Sequence, residues 1–251
     1  MRNLEGKIAV VTGGSRDIGR AISVKLAKEG AKVVVNYNSS EAGAKETVKE
    51  IESLGGEAVA IHADVSKLED IKKLKEQTVA AFGNKVDVLV NNAGGLFARK
   101  TLQEFDESFY DLLMNVNFKS TVFVMQVFEP LMGEGASIIN LSSQASRDGG
   151  GGGSALYASS KGAVTTFTRA MSKELGPKGI RVNAVCPGLI GTKFHDDFTK
   201  DEIRSKVAAS TPLRREGNAE EVADLVAYLA SKESSFINGN NVDINGGLAF
   251  S

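Results

Sequence analysis

The sequence predicts a single doubly wound α/β domain. Three observations carry that prediction. Short apolar runs recur along the chain, each followed by a stretch of helical periodicity, and the unit repeats six times. A glycine-rich turn, Thr12 to Gly19, joins the first strand to the first helix. No linker, charge block or shift in composition interrupts the 251 residues. Alternating strands and helices form a parallel sheet with helices on both faces.

Composition narrows the function. Lys plus Arg number 30 and Asp plus Glu 31, a net charge of −1. That balance gives no electrostatic reason to expect nucleic acid or an anionic membrane as partner. The one cysteine, Cys186, excludes an internal disulfide and a cysteine-built metal cluster, and no metal site is predicted. Met1 to Gly6 carry no signal-peptide core, and no apolar run approaches about 18 residues. A soluble cytoplasmic protein is expected, and 42% hydrophobic residues argue against disorder.

Lys7 to Val11 reads as a strand buried on both faces. The helix after the glycine turn carries Ile18, Ile22 and Leu26 on one face and stops at Gly30; Lys32 to Asn36 is the next strand. The whole is the size of a right-handed βαβ unit. Glycines let the backbone approach a pyrophosphate, and the helix start offers N–H groups and a positive dipole end. Such a turn can equally be plain connection geometry; its place in a complete βαβ unit favours a dinucleotide. Asp17 stands where a glycine is expected, and a carboxylate beside pyrophosphate is unfavourable. It is read as an N-cap or first-turn acid with its side chain turned away. Asn36, Tyr37, Asn38 and Ser39 contain no acid to bond the ribose hydroxyls and repel a 2′-phosphate. NADP(H) is therefore the preferred cofactor and NAD(H) is admitted. Arg16 either supplies positive charge to the 2′-phosphate or is a solvated turn residue; Asn38 and Ser39 offer hydrogen bonds.

Ser40 to Leu54 is a helix ended by Gly55 and Gly56, and Ala58 to Ile61 a third strand. His62 is read as a packing residue. Asp64 accepts the adenine amino group or opens the next turn. Ser66 to Glu69 fits a capping box. Val86 to Val90 is the fourth strand, and Asn91 to Gly94 lie at its carboxyl end, where open α/β sheets bind ligands. A helical region from Glu104 to Pro130 carries Asn115 and Asn117. Strand Ser137 to Leu141 ends in Ser142 and Ser143. Five glycines, Gly149 to Gly153, cannot hold a shape by themselves; they form a mobile mouth to the site or a loop without a role. Helix Leu156 to Leu175 and strand Ile180 to Val185 lead to Cys186, read as a small buried filler. Residues 193–215 are read as a helical lid, part of a lid segment near 190–215, with His195 in it. Ala219 to Ala230 is an amphipathic helix and Asn241 to Asn245 the last strand.

Tyr157 and Lys161 are four apart, on one face of a helix. An ammonium beside a phenol favours the phenolate and lowers the tyrosine pKa from about 10. A tyrosine so tuned exchanges a proton with a carbonyl or alcohol oxygen. Alone, the pair reads better as a surface helix with a solvated lysine.

Five segments together change that balance. The glycine turn, Asn-Asn-Ala-Gly at 91–94, Asn117 in Val-Asn-Phe, Ser143 with Tyr-Ala-Ser-Ser-Lys at 157–161, and Cys-Pro-Gly-Leu-Ile-Gly-Thr at 186–192 follow one another in the order of the short-chain dehydrogenases/reductases. Across nearly the whole chain the sequence resembles that family, and within it the 3-oxoacyl-ACP reductase and glucose 1-dehydrogenase groups. The resemblance implies a Rossmann-type seven-stranded parallel sheet in order 3-2-1-4-5-6-7 and a homotetramer. It implies that Tyr157 is the catalytic acid/base, that Lys161 lowers its pKa and holds the nicotinamide ribose, and that Ser143 orients the carbonyl. It also implies that Asn117 anchors a water chain that ends at Lys161. Gly13, Ser15, Arg16, Ile18 and Gly19 match the phosphate turn, Asp64 and Val65 the adenine site, and Asn91, Ala93 and Gly94 the adenosine ribose. Pro187, Gly188, Ile190 and Thr192 match the carboxamide site. Members that use a carrier protein carry basic residues around the site mouth; Lys178 fits, and Glu134 counts against it. Leu96, Phe97, the glycine run and the lid are expected to shape the pocket.

The expected activity is hydride transfer between NADP(H) and a carbonyl or secondary alcohol, with a 3-oxoacyl reductase as one form. A sugar or polyol dehydrogenase is the alternative. A non-catalytic dinucleotide sensor ranks lower, because Asn117, Ser143, Tyr157 and Lys161 are all present.

Overall fold

Strand residues of this chain send their side chains alternately into two cores. Ala9, Val11, Val33, Val35, Val88 and Val90 pack on one side; Ile8, Val10, Val34 and Leu89 pack on the other. A strand buried on both faces needs apolar residues at every position, which is why these runs are continuous rather than alternating. The computed structural model describes residues 3–192 and 201–250.

The strands are β1 (Ile8–Val11), β2 (Lys32–Tyr37), β3 (Glu57–His62), β4 (Val88–Asn91), β5 (Ser137–Leu141), β6 (Arg181–Pro187) and β7 (Asn241–Ile244). They form one parallel sheet in the order β3-β2-β1-β4-β5-β6-β7, as expected. Helices α1 (Asp17–Lys28), α2 (Glu41–Ser53) and α9 (Ala219–Ala230) cover the first core. Helices α3 (Leu68–Phe82), α5 (Ser120–Phe128) and α7 (Ala155–Leu175) cover the second. The order reverses between β1 and β4, and a crevice opens there at the carboxyl strand ends. The remaining helices are α4 (Glu107–Met114), α6 (Ala145–Asp148) and α8 (Asp201–Ser210).

Three readings change and one, at Asp17, is narrowed to one of its alternatives. The predicted capping box at Ser66 does not form: Lys67 is the N-cap of α3 and no side chain caps it. Ser66 instead gives both its N–H, at 3.0 Å, and its hydroxyl, at 2.6 Å, to Asp64 Oδ1, because a carboxylate two residues back is the nearer acceptor. Asp17 is a first-turn acid but not the N-cap, which is Arg16. The helical region 104–130 is broken, with a π segment, Asn115–Lys119, between α4 and α5. Lys178 and Glu134 do not stand at the site mouth. They precede β6 and β5, at the amino-terminal edge of the sheet, where Lys178 pairs with Glu129 at 2.6 Å. His195 lies outside the described residues.

Asp87 fixes the amino-terminal edge. Its carboxylate accepts the Ile8 N–H at 3.0 Å and faces Lys7 at 3.0 Å and Lys85 at 2.7 Å. Burial pushes its carboxyl up, but Lys85, the Ile8 N–H and Lys7 together hold it below the ordinary range. A depressed carboxyl stabilises the fold above its unfolded pKa of about 4, and that contribution fades as pH falls through the folded value. Asp87→Asn is expected to destabilise the protein by about 1–3 kcal/mol at pH 7. Urea unfolding should show the difference from the parent chain shrinking at acid pH.

Candidate active site

The carboxyl ends of β4 and β5, the π segment and α7 converge on Lys161. This lysine is 4% exposed. Its Nζ donates to the Leu141 carbonyl at 2.7 Å, and burial brings its pKa down to about 8. Ser142 Oγ donates to the Lys161 carbonyl at 3.0 Å, tying α7 to the end of β5. Asn117 is fully buried in the π segment. Its Oδ1 accepts the Gly95 N–H at 2.8 Å, and its Nδ2 donates to the Gly95 carbonyl at 2.9 Å and the Leu113 carbonyl at 3.0 Å. A Cβ on Gly94 would lie 2.7 Å from Asn117 Oδ1 and 3.1 Å from Lys161 Nζ. Gly94 therefore leaves open the space between the asparagine and the lysine. π turns of this kind recur at functional sites.

Tyr157 stands on the first turn of α7, and its hydroxyl is hydrogen-bonded to Ser143. Burial pushes the phenol up, and the Ser143 hydroxyl pulls it down. The residue keeps part of its surface exposed, so the upward push is partial. The expected lowering by Lys161 is not seen in this structure. The ammonium is given to Leu141, and Nζ lies 5.9 Å from the centre of the tyrosine ring. Ser143 Oγ also accepts the Ala145 N–H at 3.1 Å, and the Gln144 N–H bonds the Pro187 carbonyl at 2.9 Å. The serine is thus fastened to the segment holding Pro187, Gly188, Ile190 and Thr192. Burial pushes the Cys186 thiol up.

The glycine turn lies across the crevice. Gly13 has φ +64, and a Cβ on Gly19 would stand 2.1 Å from the Gly13 carbonyl oxygen. Only glycine fits there. Arg16 gives α1 no side-chain cap, so its own side chain does not take up the N–H groups of the first turn. Asp17 has φ +49, the backbone form for which glycine is the usual residue. Aspartate is among the few others that enter it readily. The cradle closed to any side chain, the uncapped helix start and the sheet's switch point together fit a dinucleotide.

Two residues of this end escaped the sequence reading. Asn92 Nδ2 donates to the Thr12 carbonyl at 2.9 Å and the Gly13 carbonyl at 3.0 Å. Thr12 Oγ1 accepts the Asn92 and Ala93 N–H groups at 3.0 and 3.1 Å. They sew the turn to the end of β4; their signal was their place inside the two motifs. Other expected contacts are redirected. Asn36 is 1% exposed and spends its amide on the Gly13 N–H and on the carbonyls of Ile61 and Ala63. It shapes the turn rather than facing the ribose. Asn91 is likewise buried, donating to Asn140 at 2.8 Å. Val65 is buried, Asp64 keeps some exposure beside Lys67, and Ser15 is buried in the turn. Tyr37 packs edge-on to His62, while Arg16, Asn38 and Ser39 stand at the surface. The glycine run is held in place: Lys100 N–H bonds the Gly153 carbonyl at 3.0 Å and Arg99 Nη1 the Gly152 carbonyl at 2.8 Å. Leu96 is 1% exposed and belongs to the interior, not to a pocket wall.

Comparison with known proteins agrees with this geometry. The family model described as enoyl-(acyl carrier protein) reductase matches residues 13–249. An uncharacterized oxidoreductase of Methylorubrum extorquens is 40% identical over 250 residues, 99% of this chain and 100% of the relative. A hydroxynaphthalene reductase-like protein of Metarhizium robertsii is 38% identical, covering 98% of this chain and 96% of its own. The crystal structure of a short-chain dehydrogenase from Burkholderia cenocepacia in complex with NADP superposes with a TM-score of 0.90 at 35% identity, covering 98% and 99% of the two chains. The chain belongs to the short-chain dehydrogenase/reductase family, as an oxidoreductase that uses a nicotinamide dinucleotide. No helix among the described residues is long and apolar enough to cross a membrane.

Gly19→Ala is expected to weaken NADPH binding by more than about tenfold, because the added carbon displaces the Gly13 carbonyl. Asp17→Gly is expected to raise stability by about 0.5–1 kcal/mol, since glycine relieves the positive φ. Fluorescence titration with NADPH and thermal melts check both outcomes.

Proposed function

We propose that this protein is an NADP(H)-dependent reductase that interconverts a carbonyl and a secondary alcohol. The observation that carries the proposal is the hydrogen-bonded Ser143–Tyr157 pair, set beside buried Lys161 at the carboxyl end of β5. When bound, the dinucleotide supplies the hydride. The chain's own residues do the rest. Ser143 donates to the substrate oxygen and stabilises the charge that develops on it. Tyr157 gives the proton in reduction and takes it back in oxidation. A lysine with a pKa of about 8 exchanges protons near neutrality, and Asn117 holds the Gly94–Gly95 backbone against it. Lys161 is positioned to hold the nicotinamide ribose, where its charge would act on the phenol.

NADP(H) over NAD(H) is supported by the absence of an acid among Asn36 to Ser39, by exposed Arg16, and by the NADP complex of the Burkholderia relative. A 3-oxoacyl thioester shares its acyl thioester with the substrate named in the family model's description, though the reacting bond there is an enoyl double bond. The pairing of Lys178 with Glu129 on the far edge takes away the one basic residue that favoured an acyl carrier protein. Free ketones and thioesters are therefore ranked above carrier-bound ones, and above sugars. We further propose a cytoplasmic homotetramer with a lid near 190–215 that includes α8.

Tyr157→Phe is expected to lower kcat by about 10³, within the range general acid–base catalysis supplies, while NADPH still binds. Absorbance at the NADPH band, with ketones, acetoacetyl thioesters and aldoses, and with NADPH and NADH in parallel, measures both activity and preference. A Tyr157→Phe enzyme with near-normal turnover would remove the role assigned to the tyrosine.

A further inference from the structure

Phe97 is held in a backbone conformation that its side chain disfavours. Its φ is +63, and the Ala98 N–H bonds back to the Leu96 carbonyl at 2.7 Å. A two-residue hydrogen bond around a positive φ is the rarer, strained form of γ-turn. For an aromatic residue this is a true outlier. Strain of this kind persists only where the surroundings over-determine it.

The surroundings do so on both sides. Upstream, both backbone groups of Gly95 are held by Asn117, and Leu96 is sunk in the interior. Downstream, Lys100 and Arg99 are fastened to the carbonyls of Gly153 and Gly152. Gly153 is needed for this clasp: its φ is +73, and a Cβ there would lie 2.9 Å from Arg99 Cβ. The two clasped loops lead directly to Gly94 on one side and to Tyr157 on the other.

What the strained turn achieves is the placement of a ring. Phe97 is 41% exposed. Its ring tip lies against Gly95, within 3.4 Å of where a Cβ would stand, and the preceding Gly94 borders Lys161 Nζ and Asn117. A half-exposed aromatic ring thus stands in the loop that leaves the carboxyl end of β4, packed on the residue next to the glycine that borders Lys161 and Asn117. From this placement, and resting on the carbonyl-reductase reading above, we infer that Phe97 is a specificity-determining residue that selects carbonyl substrates carrying an aryl group. The Arg99–glycine clasp is the positioning device that keeps the ring there. Stacking and burial of an aryl group on one aromatic face correspond to about a tenfold preference.

The test compares ethyl benzoylacetate with ethyl acetoacetate, two 3-oxoesters that differ in a phenyl against a methyl beside the reacting carbonyl. The variants are Phe97→Gly, Arg99→Ala and the double variant, each with NADPH. Phe97→Gly is expected to lower the ratio of the two kcat/KM values by about tenfold, through a raised KM for the aryl ester. It is also expected to raise Tm by about 1–3 °C, because glycine adopts the turn without strain. A residue that mattered only for packing would lower Tm and change both esters alike. Arg99→Ala should reduce the ratio part of the way, and the double variant should fall no further than Phe97→Gly. A ratio within twofold of the parent enzyme in Phe97→Gly, or an equal loss on both esters, overturns the inference while leaving the reductase reading intact. A parent enzyme that reduces ketones or thioesters but neither ester overturns the inference alone; one that binds NADPH and reduces neither ester nor any ketone, thioester or aldose overturns both.

Discussion

A lysine buried at the carboxyl edge of a parallel sheet is the constraint around which this molecule is arranged. An ammonium taken out of water must be given partners or lose its charge. Here the partner is the carbonyl of Leu141, at the point where β5 ends and a strand carbonyl is free to accept. That choice fixes much else. Helix α7 must begin close to the strand end, which the Ser142 bond to Lys161 secures. The loop after β4 must be glycine where it passes the ammonium. The helix opposite must widen into a π segment to bring Asn117 against that loop.

The fold was legible because each strand is buried on both faces. Ser137 to Leu141 and Ala219 to Ala230 fall where the pattern placed them, with the same ends. Ends set by polar competition were less legible. At Ser66 the sequence offers a capping box, in which the hydroxyl would accept a helix N–H, but here it donates to Asp64, and nothing in the local pattern ranks one role over the other. Lys178 failed for a different reason. Its place along the chain is plain, yet only the topology says that residues before a strand lie at the opposite edge from residues after it.

Within the site, positions in glycine-bearing motifs were found, but which of their side chains face the crevice was not. Asn36 lies in a stretch that matches the adenosine edge, and its amide turns inward to four backbone groups. Thr12 and Asn92 were passed over because they flank the glycines rather than resemble a ligand site. The glycine run is the clearest case. Five glycines have no shape of their own, and the shape here comes from Asp148 and Ser154 at its two ends and from Arg99 and Lys100, about fifty residues earlier. No local reading of either segment contains that contact.

The glycine turn itself has an evolutionary consequence. Gly19 has no room for a side chain because of the Gly13 carbonyl, and Asn92 bonds that same carbonyl. Both demands come from packing within the protein and would persist with no nucleotide in the crevice. A descendant that gave up its chemistry would be free to lose Tyr157 and Ser143 early, while folding alone kept its glycines. In such a lineage the motif most often used to diagnose a dinucleotide would be the last to report that the activity had gone.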